Sequence, residues 1–300
     1  MAADSPRLVL VVWWLTCLLW SSVWLAIKVG VGDVPPATFA SVRLVIAVTV
    51  LLPIMAVRGV PLPRTRRDWQ LVGATGVLLL GLNYAFLYWG AQYVTSGLSA
   101  VLQAVTPAFG LLFGRVLRGD ERFTAWQLAG LLVGVAGVAV IFADQLHVTG
   151  GAALWGCLAV TASAVCVALG YVIVKRHGTH LSPIQLTTSQ MMVGLVPLLA
   201  LALTFEGNPL AARWTPRAIA ALLYLALAGS VTAFWLNYWL LKRIGATRVL
   251  VMSLVEPLIA VVLGAVVLHE ALPPGTLLGG AGILASTWIL LAPRASAPAA

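Results

Sequence analysis

Ser253-Leu254-Val255-Glu256-Pro257-Leu258-Ile259-Ala260-Val261-Val262-Leu263-Gly264-Ala265-Val266-Val267-Leu268-His269-Glu270 is an apolar run with one carboxylate and one proline in its middle and a second carboxylate at its end. Pro273-Pro274 follow, then another apolar run. An earlier stretch has the same plan. Gln103-Ala104-Val105-Thr106-Pro107-Ala108-Phe109-Gly110 leads to Gly119-Asp120-Glu121 and then to a Gly-rich apolar run. Pro107 and Pro257 are 150 residues apart, and Glu121 and Glu270 are 149 apart. Tyr88-Trp89 returns after 150 residues as Tyr238-Trp239, with Phe234 in the place of Tyr84. Lys28 and Pro36 return after 147 residues as Lys175 and Pro183. Ordered matches at one spacing mark an internal duplication. The period is far longer than a solenoid unit, so two halves are expected, 1–147 and 148–300.

Hydrophobic residues make up 61% of the 300-residue chain and charged residues 9%, with a mean hydropathy of +1.00. A soluble domain carries about 25% charge, so this chain cannot cover itself with a water-soluble surface. Its apolar runs reach the roughly 20 residues that cross a bilayer as a helix. They lack the alternating period of a membrane β-barrel. The class expected is an all-α integral membrane protein. The net charge of +9 sits in short clusters between the runs, where topology explains it better than affinity for nucleic acid. Cys17, Cys157 and Cys166 lie inside apolar runs and read as small core residues. No metal or cofactor is expected.

The runs predict ten helices, near 8–29, 36–57, 69–92, 95–117, 124–142, 151–175, 182–205, 215–241, 247–268 and 274–292. The first is too long for a signal-peptide core and lacks a clear cleavage site, so it reads as a span. Alternate loops hold fourteen and three Lys/Arg residues respectively, which places both termini on the cytoplasmic side. Five spans per half is an odd number, so the halves enter the membrane from opposite sides. Such an inverted repeat is the plan of many secondary transporters, with a site near the midplane. Trp69, Trp126, Trp155, Trp214 and Trp288 fall near span ends, as interfacial indoles do. The pairs Gly130/Gly134 and Gly275/Gly279 read as close-packing motifs, inside the monomer more than between copies.

Several of these stretches resemble one family. Trp20-Ser21-Ser22-Val23-Trp24-Leu25-Ala26-Ile27-Lys28 resembles the first-helix signature of EamA-type drug/metabolite transporters. Pro36-Ala37-Thr38-Phe39-Ala40-Ser41-Val42-Arg43 resembles the start of their second helix, and the Thr106-Pro107…Glu121 and Glu256-Pro257…Glu270 elements resemble their two repeat signatures. The resemblance covers nearly the whole chain. It implies ten helices in two inverted five-helix halves, a central cavity and alternating access. Among these transporters the chain is most similar to bacterial aromatic and neutral amino-acid exporters. One departure is Gln190, which stands in the second half where the first has Arg43.

A charge in the centre of a membrane helix costs about 2.5–3.5 kcal/mol on insertion scales, so each one needs a reason. Arg43 and Glu256 are the candidates. An ion pair between them, or with a substrate carboxylate or amine, would satisfy both; a fixed scaffold bridge or a neutral hydrogen-bonded Glu is the structural alternative. Pro107 and Pro257 free backbone carbonyls mid-helix, either as passive kinks or as partners for an ammonium. Trp20, Tyr84, Tyr88 and Trp235 offer aromatic faces, and Ser21, Asn83, Gln103 and Asn237 offer hydrogen bonds; helix-to-helix glue accounts for part of this set. Glu121 and Glu270 stand just before helices, where a carboxylate caps free N–H groups.

An enzyme is disfavoured. No His lies inside a run, and neither H-E-x-x-H nor a phosphate-cradling G-x-x-x-x-G-K is present. The function expected is export of small metabolites, neutral and aromatic amino acids first. A multidrug or cationic-compound exporter is the alternative. A nucleotide-sugar exchanger would need several cavity cations for phosphate. The partners expected are the small-molecule substrate and the bilayer, with no nucleic acid and a monomer favoured.

Overall fold

A chain this apolar finds no water for its backbone inside a bilayer and closes its hydrogen bonds within helices. The computed structural model describes residues 6–116, 125–148, 151–233, 235–237, 239–240, 243–244 and 252–291. Among them every regular element is helical. Eight segments, with 96–116 counted as one, are long and apolar enough to cross a membrane, and two shorter apolar helices follow. Glu121, Phe234 and Tyr238 of the repeat, and the basic residues Arg118, Arg122, Lys242, Arg248 and Arg294, lie outside the described residues.

The helices are α1 (Pro6–Val31), α2 (Pro36–Val57), α3 (Arg66–Gly90), α4 (Ser96–Gln103), α5 (Thr106–Val116), α6 (Ala125–Val148), α7 (Gly151–His177), α8 (Pro183–Glu206), α9 (Pro216–Asn237), α10 (Met252–Val267) and α11 (Pro274–Leu291). Pro36, Pro183 and Pro216 each open a helix at a position where the missing N–H is not needed. The 95–117 stretch, expected as one helix, is broken at Ala104-Val105 into α4 and α5. Pro107 lacks the N–H that would bond the Gln103 carbonyl. The Thr106 hydroxyl donates to that carbonyl instead, at 2.6 Å, and Thr287 of α11 donates to the Ala104 carbonyl at 2.8 Å. Pro257 sits inside an unbroken α10.

Packing is chiefly between elements far apart in sequence. α1 lies against α9 and α10, α2 against α8 and α9, α3 against α7 and α8, and α4 against α7 and α10. α6 and α11 form the closest pair, through small residues. A Cβ added at Gly137 would stand 2.6 Å from the Gly279 carbonyl, and one at Gly279 2.5 Å from the Gly137 carbonyl, so only glycines let these backbones touch. Ser286 of α11 donates to the Gly130 carbonyl at 2.6 Å across the same seam.

Two carboxylates clamp helix starts from a distance. Glu206, at the end of α8, accepts from the N–H groups of Ala37 (2.9 Å) and Thr38 (2.7 Å) at the start of α2. Glu270 accepts from Ser96 N (2.7 Å), Ser96 Oγ (2.9 Å) and Gly97 N (3.2 Å) at the start of α4. Thr95 Oγ1 takes Leu98 N at 3.1 Å, which completes the free donors of that first turn. The cap therefore falls on α4 and not on α11, the helix that follows Glu270. The reason is local. His269 adopts a left-handed φ of 53° at the end of α10 and turns the chain, so Glu270 folds back over Gly264.

Candidate functional site

Helices α3 and α9 each contain a π-helical segment, Val77–Leu82 and Tyr224–Thr232, which begin 147 residues apart. Such bulges inside α-helices frequently mark functional sites. In α9 the bulge sets up Ser230, whose hydroxyl donates to the Leu225 carbonyl five residues back, at 3.1 Å. Its oxygen faces α2 and meets Arg43.

Arg43 is 4% exposed, and it is the only buried Lys or Arg among the described residues. Its Nη1 donates to Tyr88 Oη at 2.6 Å. Its Nε and Nη2 both donate to Ser230 Oγ, at 3.3 and 3.1 Å. Its Cζ stands 5.1 Å from the centre of the Tyr84 ring, a cation–π distance. The Tyr84 and Tyr88 rings are 5.3 Å apart, and Phe39 packs on Tyr88 at 6.0 Å. A guanidinium has five N–H donors, and three are committed here, all to neutral oxygens. No carboxylate pairs with Arg43 among the described residues, and Arg43 and Glu256 do not form an ion pair with each other. A buried cation without a counter-ion is costly unless an anion joins it.

Three further contacts lie on α1, α3 and α9. Ser22 of α1 shares a 2.5 Å hydrogen bond with Tyr224 Oη at the start of the α9 π segment. Gly229 lets α1 approach, since a Cβ there would stand 2.7 Å from Val23. Asn83, one position before Tyr84, donates to the Leu79 carbonyl at 2.8 Å, and its Oδ1 is buried without a partner among the described residues.

The other expected site residues lie elsewhere. Gln103 donates to Ser163 of α7 at 2.5 Å and is near Thr106 Oγ1 at 3.3 Å. Gln190, the counterpart of Arg43, donates to Thr75 of α3 at 2.7 Å. Ser21 donates to the Cys17 carbonyl at 2.6 Å. Trp20 packs in a separate small cluster with Cys17, Leu240 and Met252. Glu256, on α10 beside α1, has no hydrogen bond or ion pair to another described residue; Cys17 lies within its electrostatic reach. Trp235 is 56% exposed, and Asn237 Oδ1 is buried without a partner among the described residues. The structure thus gathers Arg43, Tyr84 and Tyr88, while Asn83, Trp20, Gln103 and Glu256 make their contacts elsewhere. Ser230 joins that cluster without having been expected from sequence; no local pattern marks it.

The constellation is closed. A groove of about 610 Å³ exists between α2, α3, α7 and α8, with Phe86, Trp89, Trp155 and Phe205 among its walls and Glu206 at its end. None of the expected site residues lines it.

Comparison with known proteins follows the same lines. Residues 8–143 and 154–292 each match the EamA-like transporter family. An uncharacterized transporter, YoaV of Bacillus subtilis, is 29% identical over 87% of this chain and 89% of its own. A probable terminal-alkyne amino-acid exporter of Streptantibioticus cattleyicolor is 30% identical over 89% of this chain and 88% of its own. The uncharacterized inner membrane transporter YedA of Escherichia coli is 28% identical over 82% and 78%. A protein crystal structure at 21% identity shares the fold, with a TM-score of 0.63 over 95% of this chain and 96% of its own.

Proposed function

The chain belongs to the EamA-like transporter family, and from that membership we propose that it is a secondary exporter of small metabolites, neutral and aromatic amino acids first, working by alternating access across a bacterial inner membrane. It is a multi-pass membrane transporter and not an enzyme. The arrangement proposed is ten transmembrane helices in two inverted five-helix halves, with both termini cytoplasmic. The two family matches and the skew of fourteen against three basic residues in alternate loops support it.

The observation that carries the substrate class is the Arg43 guanidinium, buried and, among the described residues, hydrogen-bonded to neutral oxygens alone. Its Nε–Nη2 edge rests on one hydroxyl. A carboxylate places two oxygens on that edge with charge-assisted bonds, which are about twice as strong. Tyr84 and Tyr88 then offer aromatic faces to an apolar side chain, and Asn83 Oδ1 an acceptor to an ammonium. Trp20, Trp235, Ser21, Gln103 and Asn237 are proposed to line the path once the halves move, with Pro107 and Pro257 as helix kinks and Glu256 in coupling. One buried cation among the described residues is too little for a diphosphate, which argues against nucleotide sugars. Glu256, with no hydrogen bond or ion pair to another described residue, favours the second reading, export of cationic compounds.

The test is counterflow in proteoliposomes with a panel of amino acids, their amides and a cationic drug. Exchange of several neutral amino acids but not of their amides supports the proposal. Exchange of the cation alone overturns it.

A further inference from the structure

Two charged contacts join the ends of the bundle, and they occupy matching places. Asp33, in the turn between α1 and α2, accepts from Arg217 Nε and Nη2 at 2.5 Å each and from the Thr215 hydroxyl at 2.6 Å. His180, in the turn between α7 and α8, has its Nε2 2.7 Å from Asp68 Oδ1. Asp33 and His180 are 147 residues apart. Thr65 and Thr215, which cap the helices bearing the partners, are 150 apart. Each contact therefore ties the first turn of one half to the third helix of the other. Their polarity is reversed and their chemistry unequal. One cation is a guanidinium, charged at all working pH values; the other is a histidine, the side-chain type that serves as a switch near neutral pH.

We propose that Asp33–Arg217 and Asp68–His180 are the two gates of the transport cycle, opened one at a time, and that only the Asp68–His180 gate answers to pH in the working range. The proposal rests on the alternating-access reading. Both contacts span the halves, so a rocking motion breaks the one at the opening end and preserves the other.

The Arg217 hydrogen bonds, then the Thr215 hydroxyl, hold the Asp33 carboxyl well below the usual carboxylate range. A depressed carboxylate contributes stability above its unfolded value of about 3.9, lost only as pH falls through the folded value. That gate is therefore flat between about pH 5 and 8. At the other gate an imidazolium binds Asp68 more firmly than a neutral ring, so acidification tightens it. The charged groups on the elements packed there are Arg66, Arg67 and Asp68 of α3 and Lys175, Arg176 and His177 of α7; the first turn of α8 has no acidic residue. Arg58 and Arg64 stand in the neighbouring loop.

The experiment is labelling of Ser22→Cys by an impermeant maleimide, in the full chain with Cys17, Cys157 and Cys166 replaced by Ser, reconstituted in liposomes. Labelling needs no substrate, so its outcome is separate from whether amino acids are the cargo. Each rate is divided by that of a small free thiol with the same reagent at the same pH, which removes the fall in thiolate fraction. From the Asp68 side, acidifying from about pH 8 to 6 should then slow this relative labelling about two- to fivefold, the range of an exposed charge pair. His180→Ala should label fast at both pH values and His180→Arg slowly at both, opposite outcomes that misfolding cannot mimic. Arg217→Ala should speed labelling from the other side without pH dependence. His177→Asn should keep the wild-type response. A His180→Arg protein that retains the wild-type pH response overturns the proposal, as does Arg217→Ala with unchanged labelling from both sides.

Discussion

Arg43 Nε and Nη2 both donate to Ser230 Oγ, at 3.3 and 3.1 Å, across 187 positions of sequence. A single neutral oxygen bridges two donors there, so the contact between α2 and α9 is long and easily exchanged for a better acceptor. Tyr88 holds the remaining end of the guanidinium at 2.6 Å. The arginine is thus oriented before any ligand arrives, which lowers the cost of binding one.

Arg43→Lys keeps the charge and loses the fork. Loss of a charged hydrogen bond is worth about 1.5–3 kcal/mol, so the counterflow KM should rise at least about tenfold, with a smaller change in maximal flux. Arg43→Gln should raise KM further yet unfold no more easily than wild type, because a desolvated charge has gone. An unchanged KM in Arg43→Lys would remove the carboxylate from this residue.

Ser230→Ala leaves the Leu225 carbonyl and two guanidinium donors without their partner. The empty protein should lose about 1–3 kcal/mol, seen as a lower Tm in detergent. A saturating neutral amino acid should restore more Tm in this variant than in wild type, and its amide analogue should not. Equal shifts from acid and amide would show that the ligand does not take the place of Ser230.

Glu270→Ala removes the acceptor for Ser96 N, Ser96 Oγ and Gly97 N, and should cost about 0.5–2 kcal/mol as a lost cap. Gly264→Ala should cost a similar amount, since its new methyl would stand 2.8 Å from Ser96 Oγ and collide with the Glu270 carboxylate. The double variant should be markedly less than additive. Additive losses would mean that Gly264 acts through something other than this cap.

Glu256→Gln should retain counterflow and lose accumulation driven by a pH gradient, because Glu256 is an acid within an apolar helix with no partner among the described residues. Accumulation at the wild-type level in this variant would assign facilitated movement down the substrate gradient.

Thr65→Cys, beside Arg64, Arg66 and Arg67, should resist an impermeant thiol reagent applied to intact cells and react after permeabilisation. Labelling from outside would invert the proposed topology.

Much of the fold was legible because the signals are one-dimensional. Run length and hydropathy mark spans wherever a bilayer is the solvent, and the 147–150-residue spacing of Lys28, Pro36, Tyr88 and Pro107 with their counterparts predicted a chain that the family matches twice. The departure at Gln190 was also visible in that spacing, and the two positions do have different partners, Thr75 for Gln190 and Ser230 with Tyr88 for Arg43. Other features were hidden. The break between α4 and α5 follows from Pro107, but Pro257 in the same motif leaves α10 continuous, so the proline alone does not decide it. The π segments carry ordinary apolar sequence. Glu206 gave no local cue that it would cap α2, more than 160 residues upstream.

The amino-acid sequence by itself determined that this is a helical membrane protein of two related halves, because hydrophobic length and internal spacing are properties of the chain read along one dimension. Only the tertiary structure decided what meets Arg43, where Glu270 places its cap, and which residues join the two ends of the bundle. Those choices depend on helix rotation and on the extra residue of a π turn, which re-aims every side chain after it. A hydrogen bond must be met within about 3 Å, and no pattern along the chain specifies which of two distant helices will supply that oxygen.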